Sequence, residues 1–411
     1  MKELLVQAFR EVLRSLDFEA AVREGIARLP DPPPKRVFAV AIGKAAPAMM
    51  AGALASPWNI ERAIVVCPEG TPSSLPEGPQ LELLRASHPL PDARSVEAGA
   101  RVLRLAESTT PEDLLLVLIS GGASALACAP PPGIGFATKL EVTHALLRAG
   151  ASIVEFNTVR RHLSRLKGGG LTRAARGPVV ALLASDVIGG KAHDIGSGPT
   201  APDPTSVDDA RAVLQRYAPQ FASLELVASL APSDEAAARE RHFIVLEPEL
   251  LAERGARALE RAGWSARVLP PSMASVSVLA DEYARLARSL APGQAVVRVA
   301  EPSLEVDPAS SGRGGRSGHL AAVVAPRLPR DVAFLAGASD GADGTSSAAG
   351  AVVDAAWAAA VGTSRHADHI ARFDTAALHA GTGSAILTGP SGVNLCDLHL
   401  LVRATTSSGA A

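Results

Sequence analysis

The chain has 411 residues, a formal net charge of −2 and an aromatic content of 3%. This length favours two domains, or three, over a single hydrophobic core. The near-neutral charge and the scarcity of aromatic side chains argue against nucleic acid as a partner, because such proteins need a basic surface or a stacking platform. Small anionic ligands are compatible with this composition, since local clusters of charge can bind them.

The first sixteen residues predict an amphipathic helix, because one helical face collects Leu5, Phe9, Val12, Leu13 and Leu16. This pattern is not that of a signal peptide. No apolar run approaches the ~18 residues that a membrane-spanning helix needs. We therefore expect a soluble protein without a membrane partner.

The three cysteines, Cys67, Cys128 and Cys396, are widely spaced and odd in number. This usage fits a reducing cytoplasm and argues against both a disulfide framework and a zinc site. A cytoplasmic location is the corresponding expectation.

Short apolar runs, each followed by a glycine-bearing turn and a helical pattern, recur along the chain. They are VFAVAIG (37–43), AIVVC (63–67), LLLVLIS (114–120), VVALLAS (179–185), HFIVL (242–246), AVVRVAE (295–301) and VAFLAGAS (332–339). This alternation predicts βα units, and the continuous apolarity predicts strands that are covered on both faces. The fold class is therefore α/β, with parallel or mixed sheets.

A stretch without a strand pattern, from about residue 220 to residue 241, predicts the domain boundary. We assign residues 1–235 to an N-terminal domain and residues 236–411 to a C-terminal domain. The proline-rich segments PDPPP (30–34) and PPP (130–132) are interpreted as rigid connectors.

Glycine-rich turns follow two of the predicted strands in the first half. In open α/β sheets ligands bind beyond the carboxyl ends of strands, where backbone N–H groups attract anions. The first strand leads into Gly43 and Lys44, and the third leads into Ser120, Gly121 and Gly122, which can form an anion-binding nest. Neither turn is a Walker loop. Tight strand-to-helix packing and a solvated lysine are the structural alternatives.

The loop at residues 185–205 carries several polar candidates, namely Asp186, Lys191, His193, Asp194 and Ser197. A loop of about twenty residues without structure of its own is usually functional. His193 is more simply a surface histidine. Ser206 and Asp209 then predict a capping box at the start of the next helix.

The segment NTVRRHLSRLKGGGL (157–171) predicts a basic helix in which Arg161 and Arg165 share a face. The following glycines, 168–170, are interpreted as its C-cap. The helix end is either a solvated basic surface or a contact with a phosphate or carboxylate.

Two further loops in the second half contain charged residues among glycines. SSGRGGRSGH (310–319) carries Arg313 and Arg316 and is either a flexible basic turn or a phosphate clamp. GASDGADGTSSAAGAVVD (337–354) carries Asp340 and Asp343, whose carboxylates can hold Mg²⁺, orient a hydroxyl or form Asx turns. Asn394 lies in a glycine- and proline-containing turn between two predicted strands near the end of the chain.

Taken in order, eight stretches resemble the ATP-dependent glycerate 2-kinases, whose C-terminal half is known as the MOFRL domain. They are GKAAPAM, SHPLPDARSVEAG, ISGGASAL, VRRHLSRLKGG, SDVIGGKAHDIGSGPTAPDP, GRGGR, SDGADGTSSAAGA and TGPSGVNLCDL. The resemblance implies a Rossmann-like N-terminal domain, a smaller α/β C-terminal domain and an active site in the cleft between them. It implies a cytoplasmic enzyme, a monomer or homodimer, that transfers the γ-phosphoryl of ATP to the 2-hydroxyl of D-glycerate with Mg²⁺, giving 2-phosphoglycerate and ADP.

The resemblance also assigns roles, which suit a reaction that depends on positioning and neutralisation of charge. Lys44 and Arg313 are the main cations, and the turn Ser120–Gly122 supplies backbone donors. Asp186 is the metal ligand or the base for the 2-hydroxyl. The remaining expected binding residues are Gly43, Lys167, Asp194, Ser197, Arg316, Asp340, Asp343 and Asn394.

Some positions depart from the family pattern. Ser317, Gly318 and His319 replace Asn-Gln-Glu, Gly190 replaces an aspartate, Gly170 replaces an arginine, and Ala300 stands where the family has a glycine. A catalytically weakened pseudokinase that binds a nucleotide or a sugar acid is therefore an alternative. A second alternative is a nicotinamide-dependent hydroxypyruvate reductase, but the GxGxxG turn it would need after the first strand is absent.

Overall fold

The computed structural model describes residues 1–29, 35–307 and 310–405. The connector predicted at residues 30–34 lies outside them. The chain divides into two compact units. The parallel-sheet unit comprises Phe18–Leu246, and the mixed-sheet unit joins Met1–Asp17 to the residues from Glu247 onward.

This division differs from the boundary predicted at residues 235 and 236. The segment Glu240–Leu246 is a strand that pairs in parallel with Val179–Ala184, so it belongs to the parallel-sheet unit. The first helix, α1 (Lys2–Ser15), packs against the helix Glu249–Arg261 and so belongs to the mixed-sheet unit. A domain boundary depends on which residues pack together, and a local pattern does not reveal that.

The parallel-sheet unit contains six parallel strands in the order β3-β2-β1-β4-β5-β6. They are β1 (Val37–Ile42), β2 (Ile60–Pro68), β3 (Leu81–Ala86), β4 (Leu114–Ile119), β5 (Val179–Ala184) and β6 (Glu240–Leu246). Every residue of β1, β4 and β5 is buried, as their continuous apolar sequences predict. The strand order reverses between β1 and β4, which makes their carboxyl ends the topological switch point where such sheets bind ligands.

The helices of this unit connect successive strands, except for the first, which precedes β1. They are α2 (Phe18–Ala27), α3 (Ala46–Leu54), α4 (Ala93–Glu107), α5 (Ala123–Leu126), α6 (Phe136–Arg148), α7 (Ile153–His162), α8 (Gly170–Ala174) and α9 (Val207–Tyr217). The long loop after β5 contains a single 3₁₀ turn, Ile195–Ser197.

The mixed-sheet unit contains six strands in the order β11-β10-β9-β12-β8-β7, of which only β7 and β8 pair in parallel. They are β7 (Ser265–Val268), β8 (Gln294–Ala300), β9 (Val332–Ala338), β10 (Gly350–Asp354), β11 (Ala385–Ile386) and β12 (Asp397–Arg403). Its other helices are α10 (Glu249–Arg261), α11 (Val276–Ser289), α12 (Arg316–Val324), α13 (Ala355–Val361), α14 (Thr363–Ala371) and α15 (Thr375–Ala380).

Most of the predicted elements are confirmed. All the apolar runs form strands, and the predicted face of α1 is buried. Ser206 and Asp209 form the predicted capping box at the start of α9. The strands β3, β7 and β10 were not predicted, whereas β11 and β12 are the two strands expected on either side of the turn that carries Asn394. β3 and β7 carry polar or exposed residues that obscure a strand pattern.

The predicted glycine C-cap of α7 is wrong. The helix ends at His162, and Gly168 and Gly169 instead form a turn with positive φ angles of 56° and 76° that leads into α8. Arg165 therefore lies beyond the helix and does not share a face with Arg161. The Arg161 side chain is buried and pairs with Asp203 at 3.0 Å.

The three cysteines are buried. Among helices in the described residues, none combines the length and apolar character that crossing a bilayer requires.

Candidate active site

The switch point of the parallel sheet is formed by two turns that are joined by hydrogen bonds. The N–H group of Lys44 donates to the Gly121 carbonyl at 2.9 Å, and the N–H group of Ala45 donates to Ser120 Oγ at 3.0 Å. Gly43 has a φ angle of 139°, and a Cβ atom there would lie 2.1 Å from Ser120 Oγ. Only glycine fits this position, because a side chain would separate the two turns.

The second turn presents backbone donors at this edge. The N–H groups of Gly121 and Gly122 have no acceptor among the described parts of the chain. Gly122 has a φ angle of 90°, and a Cβ atom there would lie 3.0 Å from His88 Cδ2 and 3.5 Å from Lys44 Cγ. The predicted donors, the predicted cation Lys44 and the His88 ring therefore lie together.

His88 was not among the predicted site residues. It follows β3, and its side chain is half-buried at the switch point. The available signal was its position in SHPLPDARSVEAG, one of the stretches that carry the family resemblance.

Lys167 and Ser197 meet beside the same turn. Lys167 Nζ donates to the Ser124 carbonyl at 2.9 Å and to Ser124 Oγ at 3.3 Å. Ser124 Oγ lies 2.7 Å from Ser197 Oγ. Ser124 is in α5, directly after the glycine turn, so Lys167 and Ser197 are both adjacent to the switch point. Burial lowers the pKa of Lys167 well below its ordinary value.

The two candidate aspartates of the long loop are arranged differently. Asp186 follows β5 and is half-buried at the carboxyl edge of the sheet. Asp194 accepts a hydrogen bond from the N–H group of Lys191 at 3.1 Å, and thereby orders its own loop. Asp186 is therefore the better placed of the two for a ligand at the edge of the sheet.

In the mixed-sheet unit, Arg313 is exposed at the loop before α12. Its guanidinium donates to the Thr345 carbonyl at 3.0 Å, and its backbone N–H donates to Asp374 Oδ1 at 3.2 Å. Within the described residues, no carboxylate forms a side-chain ion pair with Arg313. Its charge is therefore available to an anion.

Arg316, in contrast, has internal partners. Its Nε donates to Asp397 Oδ2 at 2.8 Å, and its Nη1 donates to Glu301 Oε1 at 3.0 Å. Asp397 is 1% exposed and also accepts from Ser317 Oγ at 3.0 Å. Although burial lowers the pKa of Arg316, the two carboxylates raise it above its usual range. This geometry is that of a structural ion pair between α12 and β12.

Asp343 also has internal contacts. Its carboxylate accepts from the N–H groups of Ser317 at 3.0 Å and Gly318 at 2.7 Å, and so satisfies the first turn of α12. Burial, and then the charge of Asp397, raises the pKa of Asp343 to about 7. Asp340 and Asn394 are half-buried in neighbouring loops, and Asp340 Oδ1 accepts from the Ala342 N–H group at 3.1 Å.

Several of the positions that depart from the family pattern are packed into their units. Ser317, Gly318 and His319 are all buried at the start of α12, and the His319 ring stacks on Phe373 with centroids 5.3 Å apart. A Cβ atom at Gly170 would lie 2.0 Å from the Arg165 carbonyl oxygen. This backbone accepts no side chain at residue 170.

The family is decided by comparison with known proteins. Residues 4–230 match the family described as "Domain of unknown function (DUF4147)", and residues 290–397 match the MOFRL family. The D-glycerate 2-kinase of Thermotoga maritima is 30% identical over 97% of both chains. The chain belongs to the glycerate 2-kinase family. A crystal structure of glycerate kinase from Thermotoga maritima has a TM-score of 0.85 and 28% identity, and covers 98% of this chain and 99% of that chain.

Membership of the glycerate 2-kinase family confirms the resemblance and the predicted α/β fold class. Another relative, from Agrobacterium vitis, is 33% identical over 96% of this chain and 94% of that protein, and its name provisionally describes it as a hydroxypyruvate reductase. The roles predicted for individual residues stay predictions.

Proposed function

We propose that the protein transfers the γ-phosphoryl group of ATP to the 2-hydroxyl of D-glycerate, giving 2-phosphoglycerate and ADP. The observation that carries this proposal is the arrangement of backbone donors and a lysine at the switch point. There, the Gly121 and Gly122 N–H groups lack acceptors within the described residues and lie beside Lys44. Backbone donors and a lysine at the carboxyl edge of a parallel sheet suit a phosphate group. The named kinases among the relatives support the same reaction.

The chemistry requires the residues to neutralise and position charge more than to react covalently. In this proposal Lys44 and the two glycine N–H groups stabilise the negative charge on the oxygens of the transferring phosphoryl group. Arg313 supplies a second cation, for that group or for the carboxylate of glycerate. Asp186 holds the metal or accepts the proton of the 2-hydroxyl group.

The residues present fit Mg²⁺ of the kind that kinases use. No cluster of three or more metal-binding side chains occurs in the described residues. Mg²⁺ is commonly held by one or two carboxylates together with substrate phosphates and waters, so Asp186 is a suitable single ligand. When bound, the ion would supply positive charge beside the phosphates. We expect ATP and D-glycerate as partners and either a monomer or a homodimer.

The experiment is an ADP-release assay with D-glycerate and Mg-ATP, followed by proton-coupled ³¹P NMR of the product. A phosphate on C2 is bonded through oxygen to a CH group and gives a doublet, whereas a phosphate on C3 gives a triplet. The proposal requires ADP release and the doublet.

The role of Lys44 is tested by Lys44→Ala, with Lys35→Ala as the matched control. Lys44 follows β1 at the switch point, whereas Lys35 is exposed before β1. We expect Lys44→Ala to lower kcat/KM by about 10² to 10³, the scale of one electrostatic donor, and Lys35→Ala to leave it unchanged. Equal values for Lys44→Ala and the wild type would remove Lys44 from the mechanism.

The name of the Agrobacterium relative makes a reductase the second candidate. The strand order of the parallel sheet would accommodate a dinucleotide, but the turn Gly43-Lys44-Ala45-Ala46 lacks the glycines that let a backbone approach a pyrophosphate. Oxidation of NADH by hydroxypyruvate without ATP would favour the reductase. A thermal shift with nucleotide but no turnover would favour a pseudokinase.

A further inference from the structure

Three cationic side chains lie close together inside the parallel-sheet unit without a carboxylate partner. They are Lys139 in α6, Arg160 in α7 and Lys167 before α8. Lys139 is 6% exposed and Lys167 is 2% exposed, and Arg160 is half-buried. In the part of the chain that the structure describes, no Asp or Glu carboxylate pairs with any of these charges, and the Cys128 thiol is the one group that raises the pKa of all three.

Among the described residues, none of the three cations contacts a carboxylate. Lys139 Nζ is buried without a nitrogen or oxygen acceptor from these residues and lies beside the Cys128 side chain, whose Sγ is 3.8 Å from the Ser124 carbonyl oxygen. The Arg160 guanidinium lies 5.1 Å from the centroid of the Phe156 ring and donates to Asn157 Oδ1 at 3.4 Å. Lys167 donates only to oxygens of Ser124.

The adjacent arginine shows that this unit does compensate a buried cation elsewhere. Arg161 is 3% exposed and pairs with the buried carboxylate of Asp203 at 3.0 Å. Burying a charge without a partner is costly, and side chains usually avoid it by pairing or by losing the charge. Three cations that lack a carboxylate, next to an arginine that has one, therefore indicate a place for an external negative charge.

The electrostatics agree with this geometry. Burial lowers the pKa of Lys139, of Arg160 and of Lys167, and the charges of Lys139 and Arg160 lower the pKa of Lys167 further. An anion among them would favour the protonated lysines. Its binding would then be accompanied by proton uptake.

We propose that Lys139, Arg160 and Lys167 form a binding site for one small oxyanion, a carboxylate or a phosphate group, next to Ser124. The half-buried Ser124 and Arg160 form its accessible side, and Ser124 connects it to Ser197 and the switch point. The roles proposed above for phosphoryl transfer use neither Lys139 nor Arg160. The inference therefore depends on the contacts of these three residues and not on which reaction the enzyme performs.

The decisive variant is Lys139→Met, which removes the charge and keeps the length of the side chain. Because the free protein no longer buries an unpaired ammonium group, we expect its melting temperature to rise. We expect its affinity for the oxyanion to fall about tenfold or more, the scale of one charge-assisted hydrogen bond. Replacement of a purely structural lysine would not raise the melting temperature and lower the affinity for the oxyanion together.

The matched control is Arg165→Met. Arg165 is close in sequence to Lys167, but its side chain is 49% exposed and pairs with Glu107 at 3.3 Å. We expect this variant to keep the wild-type affinity.

Isothermal titration of the wild type with D-glycerate and, separately, with inorganic phosphate identifies the source of the oxyanion. The ligand whose binding weakens in Lys139→Met is the one that occupies the site. Titration in buffers of different ionisation enthalpy should show proton uptake by the wild type and less by Lys139→Met. The proposal is overturned if the wild type binds neither ligand, or if Lys139→Met binds both with wild-type affinity. A loss of turnover alone would count against the proposed reaction and not against this site.

Discussion

Replacement of Arg316 by methionine separates the structural role that the contacts indicate from the binding role that the sequence predicted. Arg316 pairs with Asp397 and Glu301, and Asp397 is almost fully buried. Methionine removes the guanidinium and keeps an unbranched apolar side chain. The Asp397 carboxylate would then retain only the Ser317 hydroxyl as a side-chain donor among the described residues.

The expected loss follows from the burial of the two partners. Removing one partner of a buried ion pair costs about 3 to 5 kcal/mol, because the other charge is left in the interior. The Arg316 side chain is 32% exposed, so solvent screens part of the interaction and we expect about 3 kcal/mol, the lower end of this range. The contact with Glu301, whose side chain is 40% exposed, adds little to this figure.

The assay is urea unfolding monitored by circular dichroism, with Arg327→Met as the control. Arg327 lies in the same unit and pairs with Asp281, but both side chains are largely exposed, so a change within about 1 kcal/mol is expected. Burial raises the pKa of Asp397 even though Arg316 opposes this shift. Arg316 stabilises the ionised carboxylate, so the deficit of Arg316→Met should shrink as acid protonates Asp397.

Two outcomes would refute this reasoning. If Arg316→Met unfolds within about 1 kcal/mol of the wild type, the ion pair is not structural. If its stability is unchanged while kcat/KM falls by about 10² or more, Arg316 contacts the ligand, as the sequence first suggested.

Two further predictions concern the glycine turn and the pH dependence of stability. Gly43→Ala should cost about 2 kcal/mol or more and reduce activity, because its Cβ would meet Ser120 Oγ at 2.1 Å. Gly133→Ala, also at positive φ but with open space around it, should cost less, and equal losses in urea unfolding would contradict the steric argument. The pKa of Asp343 is raised from 3.8 to about 7. Between pH 3.8 and about pH 7, this carboxyl group is therefore protonated in the folded state and ionised in the unfolded state. The contribution of Asp343 to the unfolding free energy should therefore fall as the pH rises from about 4 to about 7, by up to about 4 kcal/mol. The unfolding free energy of Asp343→Asn should change less with pH over this range. If the variant and the wild type show the same dependence on pH, another titratable group causes it.

The switch point was accessible from the sequence because its determinants are local. An apolar run followed by glycine marks the end of a buried strand, and the carboxyl ends of parallel strands meet at one edge. Gly43 and the Ser120–Gly122 turn were therefore both expected at the ligand-binding edge of the sheet. His88 was missed because β3, which positions it, has a mixed sequence and no clear strand pattern.

The roles of the arginines were not accessible in the same way. Arg161 and Arg165 looked equivalent at helical spacing, but one is buried against Asp203 and the other is exposed beside Glu107. The family resemblance placed Arg313 ahead of Arg316, but both were expected to bind a ligand, and the contacts show that Arg316 pairs with Asp397. In each case the carboxylate that decides the role is distant in sequence.

By itself, the sequence determined the fold class, the positions of most strands, the turns at the switch point and the family. Each of these depends on short-range periodicity, on the φ preference of glycine or on ordered motifs, which are all properties of neighbouring residues. Only the tertiary structure decided where the two units divide, which cations have a carboxylate partner, and that Lys139 has none among the described residues. Compensation of a buried charge depends on partners brought together by folding, so it cannot be read from local sequence.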